Sequence, residues 1–165
     1  AIFDENGNQL AQGEIGEICA RGPQVMSGYW NLESEGVFFD GGWFRTGDIG
    51  VMEKDGFFKI VDRKKDMINV SGFNVYPNEV ENVLADNEKI LEVAVIGVPD
   101  DKSTEAVKAF IVKLDPTLTE QEVHDYCHEN MTGYKRPKYV EFRDELTKSN
   151  VGKILRRVLK EESAT

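Results

Sequence analysis

The apolar pattern of this chain changes character once, near Asp62, and that change limits the folds open to it. Before it, short apolar stretches (Gly16-Glu17-Ile18-Cys19-Ala20, Val37-Phe38-Phe39, Phe57-Phe58-Lys59-Ile60-Val61) are separated by Gly- and Asp-rich turns. Asp40-Gly41-Gly42 and Lys54-Asp55-Gly56 are hairpin-type turns, because Gly supplies the positive φ that tight hairpins require. This stretch has no amphipathic helix of its own, and a free-standing sheet of its size would leave edges exposed. Residues 1–62 are therefore expected to be β-rich and incomplete, a piece of a larger domain.

Beyond Asp62 the strands and helices interleave. Asp62-Arg63-Lys64-Lys65-Asp66 is a run of five charges, expected to be a linker. Met67-Ile68-Asn69-Val70 and Phe73-Asn74-Val75 suit two short strands around a Ser71-Gly72 turn. Pro77 suits the first turn of a helix, where its missing N–H is no loss, and Val80, Val83 and Leu84 then form one apolar stripe. Two apolar strands follow at 90–98 and 107–114. Thr119-Glu120-Gln121-Glu122 reads as a capping box, in which the Thr hydroxyl and the Glu carboxylate satisfy free N–H groups at a helix start. That helix turns Val123, Tyr126 and Cys127 inward. A third strand is expected at 139–142, and a last helix over 153–162 with Ile154, Leu155, Val158 and Leu159 on its apolar side. The fold class is α+β: residues 63–165 form a small α+β domain behind the β-rich remnant.

Composition narrows the function classes. A content of 40% hydrophobic residues is globular, and no apolar run approaches the roughly 20 residues of a membrane span. The first residues resemble no signal peptide, and Cys19 and Cys127 have no metal-type spacing and form no disulfide framework. A cytoplasmic protein is the expectation. The net charge of −10 argues against nucleic acid as a partner. Residues 134–165 nevertheless carry nine Lys/Arg against five acids, so this end is +4 and the remainder −14. Such a tail fits an anionic small ligand, a membrane surface or simply a solvated helix face.

Four segments could carry chemistry. Asp48, beside the Gly47 turn, suits a local hydrogen bond, or the vicinal hydroxyls of a ribose, which can both donate to one carboxylate. Arg63-Lys64-Lys65 is either solvated linker or a site in which Arg63 offers its planar fork to sugar or phosphate oxygens. The Ser71-Gly72 turn is a hairpin tip or a place where backbone approaches a ligand. Lys148-Ser149-Asn150-Val151-Gly152-Lys153 places a lysine at an expected helix start, which is unfavourable for a cation unless an anion sits there too. His124 and His128 have the i, i+4 spacing of a zinc pair but no third ligand, so no metal site is expected.

Taken in order, these segments resemble a known family. Asp40-Gly41-Gly42-Trp43-Phe44-Arg45-Thr46-Gly47-Asp48-Ile49-Gly50, continuing to Asp62-Arg63-Lys64-Lys65-Asp66, resembles the signature stretch of fatty acyl-CoA synthetases. Val70-Ser71-Gly72-Phe73-Asn74-Val75-Tyr76-Pro77-Asn78-Glu79-Val80-Glu81 and Lys148-Ser149-Asn150-Val151-Gly152-Lys153 look like two later core motifs of the same adenylate-forming superfamily, which includes peptide-synthetase adenylation domains and luciferases. The wording is most similar to bacterial long-chain fatty-acid–CoA ligases.

The resemblance implies ATP and Mg2+ as requirements, and fatty acid and CoA as substrates. It implies that Asp48 and Arg63 bind nucleotide, that Lys65 is the hinge of a mobile C-terminal domain, and that Lys153 is the catalytic lysine of adenylation. Ser71, Gly72 and Phe73 would line the CoA tunnel. Thr147 replaces a proline common before the Lys148 segment, which loosens the loop, and Asn74 replaces an Arg of some short-chain relatives, so no phosphate contact is assigned there. The family's phosphate loop, adenine segment, metal-binding Glu and acyl pocket lie upstream of Ala1, so the chain is expected to be inactive alone. Peripheral contact with the inner face of the membrane and a homodimer stay open. So do a different acyl or aryl acid, a carrier-protein adenylating enzyme, and a non-catalytic nucleotide-binding module.

Overall fold

The computed structural model describes residues 1–31 and 36–163. The chain divides into two compact units, Ala1–Lys65 and Asp66 onward.

The first unit is one five-stranded antiparallel sheet. Its strands are β1 (Ile2–Phe3), β2 (Ile15–Ala20), β3 (Phe38–Phe39), β4 (Trp43–Met52) and β5 (Phe58–Arg63). The ten-residue β4 is the spine: β2 pairs with it from Phe44 to Val51, β5 along its second half from Asp48 to Met52, and β3 hairpins onto its start, with Phe39 opposite Trp43. The Asp40-Gly41-Gly42 turn closes that hairpin as its composition predicts. Ile2, Phe3, Cys19 and Ile49 are its buried apolar residues.

The second unit holds β6 (Ile68–Val70), β7 (Phe73–Val75), α1 (Pro77–Ala85), β8 (Ile90–Asp100), β9 (Thr104–Lys113), α2 (Glu120–Asn130), β10 (Tyr139–Arg143) and α3 (Arg156–Ser163). Strand β9 is central. One edge pairs antiparallel with β8 over nearly its whole length; the other takes β10 in parallel along Lys108–Val112 and meets β6 at Thr104. Alternation along β8 and β9 sends residues to two separate cores. Val93, Val95, Val107, Ala109 and Ile111 face α1 and α2, through Val80, Leu84, Val123 and Cys127. Ala94, Ile96, Val98, Ala106, Phe110 and Val112 face Leu146 and Leu159. A sheet buried on both faces reads as a continuous apolar run, which is why 93–98 carries no polar side chain.

Local signals act as expected at α1, which has Pro in its first turn, and at α2, where the Thr119–Glu122 capping box forms in both directions. Two expectations are corrected. Asp62 and Arg63 are not linker: they end β5, and Asp62 is buried. The last helix begins at Arg156 rather than Lys153, because backbone bonds within 147–155 draw Lys153 and Ile154 into a hairpin-like loop. No helix among the described residues is long and apolar enough to cross a membrane.

Candidate functional site

In the first unit, a cleft of about 470 Å³ is lined by Thr46, Gly47, Asp48, Arg63, Lys64 and Lys65. Asp48 and Arg63 are cross-strand partners in β4 and β5. The Arg63 Nε lies 3.7 Å from an Asp48 carboxylate oxygen, and both side chains keep solvent access. A half-open carboxylate beside a planar guanidinium offers acceptors and donors together, the pairing a sugar diol needs. Asp48 and Arg63, expected to bind nucleotide, and Lys65, the expected hinge, are thus brought to one cleft within the first unit.

Glu17 organises this cleft and was not singled out from the sequence. It lies on β2, its side chain buried, and one carboxylate oxygen accepts from Arg45 Nε at 3.1 Å, Arg45 Nη2 at 2.9 Å and Lys64 Nζ at 2.9 Å. The other accepts the Gly47 N–H at 3.2 Å. Burial pushes the Glu17 carboxyl up, but the hydrogen bonds from Arg45 and Lys64 outweigh it, and the net value falls below that of an ordinary Glu. Thr46 adds to the frame: its hydroxyl donates to the Ile18 carbonyl at 2.7 Å and accepts the Asp48 N–H at 3.1 Å. One signal for Glu17 exists in the sequence, namely an acid in the same alternating register as Cys19, which points inward.

In the second unit, the β6–β7 hairpin presents Ser71, Gly72 and Phe73, all exposed. Ser71 and Gly72 have φ of 53° and 88°, a conformation favouring Gly at the tip. The Gly72 N–H is received by Asn69 Oδ1 at 2.8 Å, and the Ser71 N–H by the Ser103 carbonyl at 2.8 Å. Phe73 stacks on Tyr134, with ring centroids 4.6 Å apart and planes at 17°. The tip is thus held from below by polar bonds and from one side by an aromatic face.

Lys153 is also in the second unit, exposed, at the end of a closed loop. Lys148 and Ile154 form a bridge across its base, and the Leu155 N–H donates to the Thr147 carbonyl at 2.9 Å. The Ser149 N–H donates to the Lys153 carbonyl at 2.8 Å, and the Lys153 N–H to Ser149 Oγ at 3.2 Å. Lys148 pairs with Glu92 of β8. The helix-dipole argument for an anion beside Lys153 therefore does not hold: the loop, not a helix end, presents this ammonium. Just behind it, Arg156 makes a two-pronged contact with Glu81 of α1, with Nη2 at 2.6 Å and Nε at 3.1 Å.

His124 contacts Glu120 at 3.4 Å, and the described residues bring together no group of three or more His, Cys, Asp or Glu that could hold a metal ion. Both cysteines are buried thiols with pKa pushed up to about 11, chiefly by burial; they are poor nucleophiles.

Comparison with known proteins places these features. Residues 79–153 match the AMP-binding enzyme C-terminal domain. The chain is 60% identical to a long-chain-fatty-acid–CoA ligase of Yersinia pestis and 56% identical to one of Escherichia coli O157:H7, in each case over 98% of this chain and 29% of the relative. It thus spans under a third of the length of these curated relatives. The solved structure of ATP-bound MatB from Rhodopseudomonas palustris superposes with a TM-score of 0.90 at 36% identity, covering 98% of this chain and 33% of that one. A fatty acyl-CoA synthetase of Mycobacterium tuberculosis gives 0.71 at 40% identity, covering 99% of this chain and 33% of that one. With its motifs in order and residues 79–153 matching that domain, the chain is similar to the adenylate-forming AMP-binding enzymes, and along 98% of its length it matches under a third of the length of long-chain-fatty-acid–CoA ligases.

Proposed function

We propose that the chain is the C-terminal part of an ATP-dependent long-chain fatty-acid–CoA ligase. The observation that carries this reading is the 60% identity to such a ligase along 98% of the chain. In the proposed reaction a carboxylate attacks the α-phosphate of ATP to give acyl-adenylate and pyrophosphate. The CoA thiol then displaces AMP to give the thioester.

Each side chain has a role consistent with its surroundings. Asp48 accepts hydrogen bonds from the ribose hydroxyls, and Arg63 donates to neighbouring sugar oxygens while steadying the Asp48 charge. Their partly open cleft supports this, since both groups can exchange water for ligand. Lys153 offers its ammonium to the carboxylate and the α-phosphate, holding two anions together and offsetting charge that builds in the transition state. An exposed lysine on a loop braced at its base is suited to that task. Ser71, Gly72 and Phe73 line the passage of the pantetheine arm, where a tip without a Cβ admits close approach. Lys65 is the hinge between the half-reactions, the units being the last β-subdomain of the large domain and the mobile C-terminal domain. Bound Mg2+ would supply charge neutralisation at the phosphates, and no residue of this chain is assigned to hold it.

The test is a split of the two half-reactions in the full-length parent. Lys153→Ala is expected to slow acyl-adenylate formation at least about 100-fold while sparing thioester formation from pre-made acyl-AMP. Equal loss in both halves defeats the assignment. The 165-residue chain alone is expected to form no acyl-CoA from fatty acid, ATP and CoA.

A further inference from the structure

Lys64 and Asp66 stand on either side of the proposed hinge residue, and each is tied into its own unit by ion pairs. On the first side, Lys64 Nζ lies 2.9 Å from the buried Glu17 carboxylate, which Arg45 and the Gly47 N–H also hold. Lys64 therefore cannot turn without leaving an acid buried and short of a partner, a costly state. On the second side, Asp66 lies 3.7 Å from Arg156 Nη1 and 3.5 Å from Lys160 Nζ. The Asp66 and Arg156 side chains are largely screened, and Arg156 is itself fixed to Glu81 and Asn78 of α1. Glu81 in turn accepts the Val95 N–H of β8 at 2.8 Å, so this anchor reaches the central sheet of the second unit. The division between units falls between these two anchors.

We infer that Glu17 and Arg156 are positioning residues that clamp the chain on the two sides of Lys65 and confine the domain swing to the torsions between Lys64 and Asp66. This rests on the hinge reading above. Arg156 has a second effect, because it follows the Lys153 loop directly. The guanidinium that fixes Asp66 also fixes the end of the loop that presents the catalytic ammonium. Hinge position and lysine position are therefore set by one side chain. Slack on either side would spread the swing over more bonds and broaden the range of Lys153 positions, and misplacement near an ångström is costly in a reaction that depends on orientation.

Limited trypsin digestion of the 165-residue chain tests the clamp, since Arg63, Lys64 and Lys65 are cleavage points. Glu17→Gln and Asp66→Asn are each expected to speed cleavage within 63–65 at least fivefold, with cuts in the unit that does not carry the substitution unchanged. Unchanged cleavage there, or cleavage raised throughout the chain, overturns the inference. In the full-length parent, Arg156→Gln is expected to lower kcat for acyl-adenylate formation roughly tenfold with KM for ATP within twofold, and Arg156→Lys to restore much of the loss. Cleavage that rises locally while both half-reactions keep their rates overturns the positioning role. A wild-type parent that makes no acyl-CoA defeats the ligase reading instead, and the digestion result still decides the clamp.

Discussion

Asp48 and Arg63 face each other across β4 and β5, with the guanidinium Nε 3.7 Å from the carboxylate. At that separation, and with both groups open to water, the pair contributes little to stability. Its value lies in what else the two groups can bind. Asp48→Ala in the full-length parent is expected to raise KM for ATP about tenfold or more, from lost charge-assisted hydrogen bonds, with the melting temperature of the chain almost unchanged. Steady-state kinetics and a melting curve check both halves of this statement.

Glu17→Gln should behave in the opposite way. Its carboxylate is buried and shared by Arg45, Lys64 and Gly47, so the neutral amide is expected to destabilise the first unit by about 2 kcal/mol at pH 7. The folded-state pKa of Glu17 is depressed, so its contribution is fully present above the ordinary Glu value near 4.3. It is lost as pH falls through the lower folded value. Denaturation of wild type and variant at pH 7 and in acid should show a gap that closes toward low pH.

Gly72→Ala tests the hairpin tip. An added Cβ meets nothing within 4 Å, yet the backbone φ is +88°. The cost is therefore conformational alone, about 1 kcal/mol. In the parent, CoA-dependent thioester formation is expected to slow while acyl-adenylate formation holds, measured on the separate half-reactions.

The cysteines give each unit its own reporter, Cys19 in the first and Cys127 in the second. With pKa values near 11, few thiolates exist at neutral pH, and burial blocks access. Labelling under native conditions is expected to follow local opening of each unit. Leu84→Ala, which empties part of the core beneath α1 at a cost of about 2–5 kcal/mol, should speed labelling of Cys127 and leave Cys19 slow.

Much of the fold was legible because its signals are local. The capping box at Thr119 and Glu122, Pro77 at the start of α1 and the Ser71-Gly72 turn each depend on residues within a few positions. The misreadings share a different cause. Ile154 and Leu155 continue the apolar stripe of α3, but Thr147, Lys148 and Ser149 capture the backbone groups of 153–155 in a loop, and periodicity cannot see that competitor. Asp62 and Arg63 looked like linker in a run of charges, whereas β4 recruits them as strand partners. Glu17 and Arg156 act through partners 47 and 75 positions away, separations that no motif spacing encodes. The candidate residues themselves were found through their ordered motifs, while the groups that hold them in place were not.

The two cores of the second unit lie on opposite faces of a sheet that supplies most of their side chains. Such a body can reorient without exchanging any of that internal apolar area with water. Heat-capacity change scales with apolar area transferred. If the proposed switch between half-reactions takes place, a calorimetric signal accompanying it reports on surfaces outside these two cores, and a near-zero signal marks a rotation that leaves hydration nearly constant.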